Sequence, residues 1–171
     1  ETLAAVSVAA TDAGDDGLGL WFSAGWSSFL DSDANSVLSY RISFPDEPSF
    51  AVAGAALRML AFSATGDGTA EIETVVAADS GMTSVLAQGY TFDTPGGALL
   101  YDANDIPASD STKTVWVQTD VRVESPSWGN SAAISGFSQN FQQADLIPEP
   151  ASMGMLATGG LLALARRRRT R

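Results

Sequence analysis

Carboxylates dominate the groups in this chain that could do chemistry. There are 20 Asp and Glu against 9 Lys and Arg, with no histidine and no cysteine. Those absences exclude Ser-His-Asp and Cys-His nucleophilic machinery, imidazole or thiolate metal centres, iron–sulfur clusters and disulfides. Proton transfer would fall to carboxylates, tyrosine or Lys113. Two close acid pairs invite a glycosidase reading, Glu71 with Glu73 and Asp102 with Asp105. On one strand face Glu71 and Glu73 would stand roughly 6.5–7 Å apart, near the ~5–9.5 Å carboxyl separation of glycoside hydrolases. In so acidic a chain the same spacing also describes a solvated face, and working pairs usually come from different strands. Asp31, Asp33 and Asn35 have the D-x-D-x-N spacing that begins a calcium loop. The sixth and twelfth positions, where such a loop needs Gly and Glu, hold Ser36 and Ile42, so the match fails and an acidic turn is expected. No phosphate-binding loop or Gly-x-Ser-x-Gly elbow occurs. The remaining candidates are the tryptophans Trp21, Trp26, Trp116 and Trp128, which are either core or flat platforms for sugar rings.

The elements that must position these groups read as strands. Leu20 to Phe29 is rich in aromatics, and Ser36 to Phe44 alternates, with Leu38, Tyr40, Ile42 and Phe44 on one face. Ser49 to Thr65 has helix-compatible alanines but reads mostly as strand, and the Gly66-Asp67-Gly68 turn leads into the alternating Thr69 to Ala77. Asp79 to Gly89 reads as a turn followed by a short strand or a single helical turn. Tyr90 to Phe92 and Ala98 to Tyr101 flank the turn Thr94-Pro95-Gly96-Gly97, and Asp102 to Ser111 reads as an acidic loop. Thr114 to Glu124 is the strongest strand, with Val115, Val117, Val121 and Val123 on one face. Ser131 to Gln142 is the last, with a bulge expected at Gly136. Glu1 to Ala10 could supply a first strand. Strands spaced by Gly, Pro and Asp turns, with no long helix among them, predict an all-β antiparallel β-sandwich, jelly-roll-like, over residues 1–146.

Residues 147–171 follow a different grammar. Pro148, Glu149 and Pro150 form a knuckle through which neither strand nor helix should run. The apolar run Ala151 to Ala165 would reach about 22 Å as a short hydrophobic helix, less than the ~30 Å hydrocarbon core of a bilayer. It ends in Arg166, Arg167, Arg168 and Arg169, a cluster that resists translocation and stays cytoplasmic. This order of parts resembles the PEP-CTERM sorting signal of exported bacterial proteins, with Pro148, Glu149 and Pro150 as the signature tripeptide and Arg166 to Arg169 as its basic end. The resemblance implies export, transient tethering in the bacterial membrane and processing by an exosortase. It is associated with bacteria that make extracellular polysaccharide. The chain opens at Glu1 without a basic n-region or apolar leader core, so the export leader is expected upstream of it.

Net charge is −11, and all basic residues of the first 147 positions are Arg41, Arg58, Lys113 and Arg122. A body this acidic is a poor match for nucleic acid. The sequence calls for no catalytic residue and no cofactor, and leaves room only for a structural Ca2+ in its Asp-rich loops. The expectation is therefore an exported, non-enzymatic surface or extracellular-matrix protein with a structural or adhesive role. The alternatives are a module binding exopolysaccharide through Trp21, Trp26, Trp116 or Trp128, and, third, a carboxylate-based glycoside hydrolase.

Overall fold

Period-two alternation over most of the chain is realised as ten strands in a computed structural model, which describes residues 6–12, 18–43, 50–107 and 110–145. They are β1 (Ser7–Asp12), β2 (Leu18–Phe29), β3 (Ser32–Ser43), β4 (Phe50–Thr65), β5 (Thr69–Ala77), β6 (Val85–Thr94), β7 (Gly97–Leu99), β8 (Tyr101–Asp105), β9 (Thr114–Ser125) and β10 (Ser131–Asp145). The first sheet has the order β1-β2-β10-β4-β8 and the second β3-β9-β5-β6-β7. The pairing is nested and antiparallel throughout: β5 with β6, β4 with β8, β3 with β9 and β2 with β10. That is one long hairpin folded over on itself, the winding of a jelly roll. The β4–β10 and β5–β9 pairs close it into two packed sheets.

The structure corrects three boundaries. Asp102 to Asp105 is not loop but β8, because the chain crosses from the second sheet to the first at Leu100, where one predicted strand divides into β7 and β8. Asp33 and Asn35 do not sit in a turn. β3 begins at Ser32, so both project from a strand and cannot wrap an ion as a loop does. Among the described residues no group of three or more Asp or Glu is arranged to hold a metal. The ambiguous stretch around Val85 and Leu86 is strand, since its partner β5 supplies hydrogen bonds along its length. The bulge at Gly136 is present, with register slipping between Ile134 and Gly136 against both neighbours. The segment from Pro148 to Arg171, with its expected helix, lies outside the described residues; among those described, no helix is long and apolar enough to cross a membrane.

Inward side chains of both sheets form two apolar clusters. One gathers Phe22, Trp26, Leu57, Met59, Ile72, Val121, Ile134 and Phe137, and the other Ile42, Val52, Val76, Val115, Val117 and Phe141. Between them lies a buried polar bridge. Gln139 of β10 accepts a hydrogen bond from the Tyr40 hydroxyl and donates through Nε2 to Thr74 Oγ1 (2.6 Å) and Thr119 Oγ1 (2.7 Å). The two threonine hydroxyls are 3.1 Å apart. One side chain of the first sheet thus engages three strands of the second, which sets their relative register more sharply than apolar contact alone. Burial pushes the Tyr40 phenol far above its ordinary range. At the margin, the β6 edge not paired to β5 is met by side chains of β8. Asp102 Oδ2 accepts from the Tyr90 N–H at 2.9 Å, and the Asn104 amide donates to the Gln88 carbonyl.

Candidate functional site

A set of polar and aromatic residues meets on the outer face of the second sheet. Inward Val115, Val117, Thr119, Val121 and Val123 leave Trp116, Gln118, Asp120, Arg122 and Glu124 pointing out from β9, as the alternation predicts. Register then places each beside its cross-strand partners. Arg122 lies between Asn35 of β3 and Glu71 of β5, and Glu71 opposes Phe92, which opposes Leu99 of β7. One row along, Asp120 lies between Val37 and Glu73, and Glu73 opposes Tyr90. Further on, Trp116 lies between Arg41 and Ala77, with the Arg41 guanidinium 5.7 Å from its ring centroid. Along and across the strands, Trp116 and Tyr90 stand roughly 16 Å apart by rise and spacing.

Tyr90 and Phe92 make a shared aromatic surface, ring centroids 5.5 Å apart and tilted by 33°. Tyr90 is 39% exposed. Partial burial first, then the adjacent Glu71 and Glu73 carboxylates and a hydrogen bond to Glu71, hold its phenol above the ordinary range, with Arg122 pulling it back. Glu73 and Asp120 face each other on neighbouring strands. Like charges in that position are destabilising, and one Asp120 oxygen is buried without a hydrogen-bond partner among the described residues.

The four predicted tryptophans do not form one platform. Trp26 is 5% exposed and packs on Phe137 at 5.8 Å, so it belongs to the core and cannot stack on a ligand. Trp21 projects from the opposite sheet and covers Gly136, whose missing Cβ would stand 2.9 Å from Trp21 Cζ2. Trp116 is on the face described, and Trp128 lies in the β9–β10 connection, 81% exposed. Of the two carboxylate pairs, Glu71 and Glu73 do share an outward face, whereas Asp102 is committed to the Tyr90 backbone. Reading the sequence alone missed Tyr90 and Phe92. Their segment reads as one flank of the Thr94–Gly97 turn, and their i, i+2 spacing is the available signal that the two rings share a face.

Residues 146–169 match the model of the PEP-CTERM protein-sorting motif. No curated protein matches the sequence. Among solved structures the chain is similar to TmCBM61 in complex with β-1,4-galactotriose, at 16% identity over 82% of each chain and a TM-score of 0.32. It is also similar to a family 11 carbohydrate-binding module from Clostridium thermocellum in complex with a β-1,3-1,4-mixed-linked tetrasaccharide, at 12% identity over 82% of each chain and a TM-score of 0.29. A third similarity is to the VP2 subviral particle of infectious bursal disease virus, at 12% identity, 97% of this chain, 50% of that one and a TM-score of 0.36. The chain therefore spans about half of the viral protein it resembles. Identities and TM-scores this low carry no argument about ligand or activity.

Proposed function

We propose that the chain is an exported, non-catalytic surface or extracellular-matrix protein whose jelly roll adheres to extracellular polysaccharide through the outer face of the β3-β9-β5-β6-β7 sheet. The sorting motif at residues 146–169 implies export. The observation that carries the adhesive role is the in-register row Tyr90–Glu73–Asp120 beside Phe92–Glu71–Arg122, an aromatic pair edged by carboxylates and a guanidinium. Sugar rings present an apolar C–H face and a rim of hydroxyls. Paired aromatics take the first, and carboxylates, an amide and a guanidinium take the second. Titration with soluble oligosaccharides, followed by tryptophan and tyrosine fluorescence, tests this. Tyr90→Ala should weaken binding by up to about tenfold, the ~0.5–1.5 kcal/mol of one aromatic contact. Full affinity in both Tyr90→Ala and Trp116→Ala would remove the face from the proposal.

A hydrolytic reading is favoured by one feature, the cross-strand Glu73–Asp120 pair. Cβ atoms so paired stand about 4.5–5.5 Å apart, which brings together two carboxyl groups from different strands. Both groups lie on one sheet face rather than on opposed walls of a cleft, so binding is the better account. Release of reducing ends, abolished in Glu73→Gln with binding intact, would replace adhesion by hydrolysis. For the tail, replacing Arg166 to Arg169 with serine is expected to impair membrane retention and exosortase processing without changing the unfolding of the β-sandwich.

A further inference from the structure

One end of the sandwich carries an apolar tip that neither the core nor the sheet face uses. The β2–β3 turn presents Phe29 and Leu30, 62% and 37% exposed, and the β9–β10 connection presents Trp128 at 81%. These two connections are neighbours, since Ser131 pairs with Phe29 and Ser32 pairs with Ser125. Between them opens a cleft of about 280 Å³ lined by Asp31, Ser32, Asp33, Glu124, Ser125 and Pro126. Folding does not require these residue types. Leu30 and Asp31 both adopt left-handed backbone, φ 57° and 58°, where asparagine and glycine are the low-cost choices. The Ser32 hydroxyl holds the turn by bridging the Phe29 N–H and carbonyl. A strained, exposed leucine on one connection and an exposed tryptophan on the neighbouring one are features associated with recognition rather than stability.

The tip is also oriented by the chain. β10 starts there at Ser131 and ends at Asp145, about 46 Å away by strand rise, and the sorting motif begins at the next residue. A sandwich tethered through that motif would present the tip at its end remote from the point of attachment.

We infer that the tip is a second polysaccharide site, separate from the sheet face, which takes an uncharged glycan chain with Trp128 as its stacking platform and Asp31 and Asp33 as hydroxyl acceptors. Three apolar side chains on two turns are too few for the ~800 Å² per partner of a stable protein interface. The acidic rim repels anionic lipid and anionic polymers. With a glycan site at the tip and another on the sheet, one molecule can bridge two polymer strands, which an adhesive matrix protein requires. The tip stands without the sheet-face reading, although the bridging role needs both.

Affinity electrophoresis of the full chain in mild non-ionic detergent, through gels containing soluble β-glucan, galactan or mannan, tests the site. At least one polymer should retard the protein. Trp128→Ala should weaken that retardation about tenfold, the upper range for an aromatic contact. Because Trp128 is exposed, its melting temperature should not change. Leu30→Asn should weaken retardation two- to threefold while raising the melting temperature, since asparagine accepts the left-handed backbone. Wild-type retardation in Trp128→Ala, with loss in Tyr90→Ala, overturns the tip and leaves the sheet face standing. Loss in Trp128→Ala alone supports the tip and removes the sheet face. No retardation by any of the three polymers overturns both sites. Trp128-dependent retardation by alginate, Trp128-dependent flotation with phosphatidylcholine vesicles, or a Trp128-dependent dimer in sedimentation would each assign the tip to a different occupant and overturn the inference.

Discussion

Replacing Gln139 with leucine tests whether the polar bridge holds the two sheets in register. The substitution nearly conserves volume, so it leaves no large cavity, and its effect comes from hydrogen bonding. Three bonds are lost: one from Tyr40 and two to Thr74 and Thr119. At about 1 kcal/mol net each they sum to about 3 kcal/mol. The threonines retain each other at 3.1 Å, so only the Tyr40 hydroxyl loses its partner, an orphan that adds about 1–3 kcal/mol. Burying leucine in place of an amide returns about 1–2 kcal/mol. The net expectation is a loss of about 2–5 kcal/mol, which for a chain of this size lowers Tm by roughly 4–20 °C. Urea unfolding followed by the buried Trp26 would measure it. The sharper test is a sign. Adding Tyr40→Phe to Gln139→Leu removes the orphan, so the double variant should be more stable than the single by about 1–3 kcal/mol. A double variant less stable than Gln139→Leu alone would refute the reasoning, because Tyr40 would then contribute through packing and not through its bond to Gln139.

Gly136→Ala should cost about 1–3 kcal/mol, since the new Cβ would meet Trp21 at 2.9 Å and the Phe22 carbonyl at 3.3 Å; thermal unfolding checks it, and Trp21→Ala in the same chain should restore most of the loss. The Asp79 carboxylate accepts from the Ser84 N–H (2.7 Å), the Thr83 N–H and hydroxyl, and the Gly81 N–H, and these bonds, the Ser84 N–H foremost, hold it below the usual carboxylate range. A lowered pKa stabilises the loop above the unfolded-state value near 3.9, and that contribution disappears as pH falls through the folded value. Protection of the Ser84 amide, its exchange rate relative to the unprotected rate at the same pH, should therefore fall below about pH 4, and Asp79→Ala should show the lowered protection already at neutral pH.

Strands whose two faces differ in polarity were legible in the sequence, and strands whose neighbours break the pattern were not. β9 alternates valine with long polar residues, so its inward and outward faces follow from period two alone. The bulge at Gly136 showed as a slip in apolar register, and the structure adds its cause, Trp21 lying over the glycine. β8 was hidden because Asp, Asn and Asp make a loop-like composition; they occur in a strand because Asp102 and Asn104 satisfy the open edge of β6, a long-range role with no local signature. Acid pairs and tryptophans could be enumerated from the sequence, but cross-strand register decides which of them meet. Glu73 finds Asp120 and Tyr90 across separations of 47 and 17 positions, and no spacing rule along the chain brings them together.

The two sheets divide the labour of the sandwich unequally, and that division argues for where recognition occurs. On the first sheet small outward positions, Ser23, Gly25 and Ser27 on β2, Ala133, Ser135 and Ser138 on β10 and Ser63 on β4, surround one row of larger groups, in which Ser138 separates Trp21 from Arg58 and Arg58 opposes Tyr101. Serine and alanine bring little side-chain reach and no charge, so outside that row the first sheet can be wetted but offers little to grip. The second sheet concentrates Trp116, Tyr90 and Phe92 with Arg41, Arg122, Glu71, Glu73 and Asp120. Stability does not call for that concentration: Glu73 against Asp120 is a repulsive pair, and the exposed Arg122–Glu124 ion pair at 3.3 Å contributes little. Exchanging Asp120 for asparagine should therefore relieve repulsion and leave the fold at least as stable, while weakening a ligand that donates to the Asp120 carboxylate. Stability gained together with affinity lost is the signature of a residue held for binding, and stability lost would mean that Asp120 belongs to the architecture.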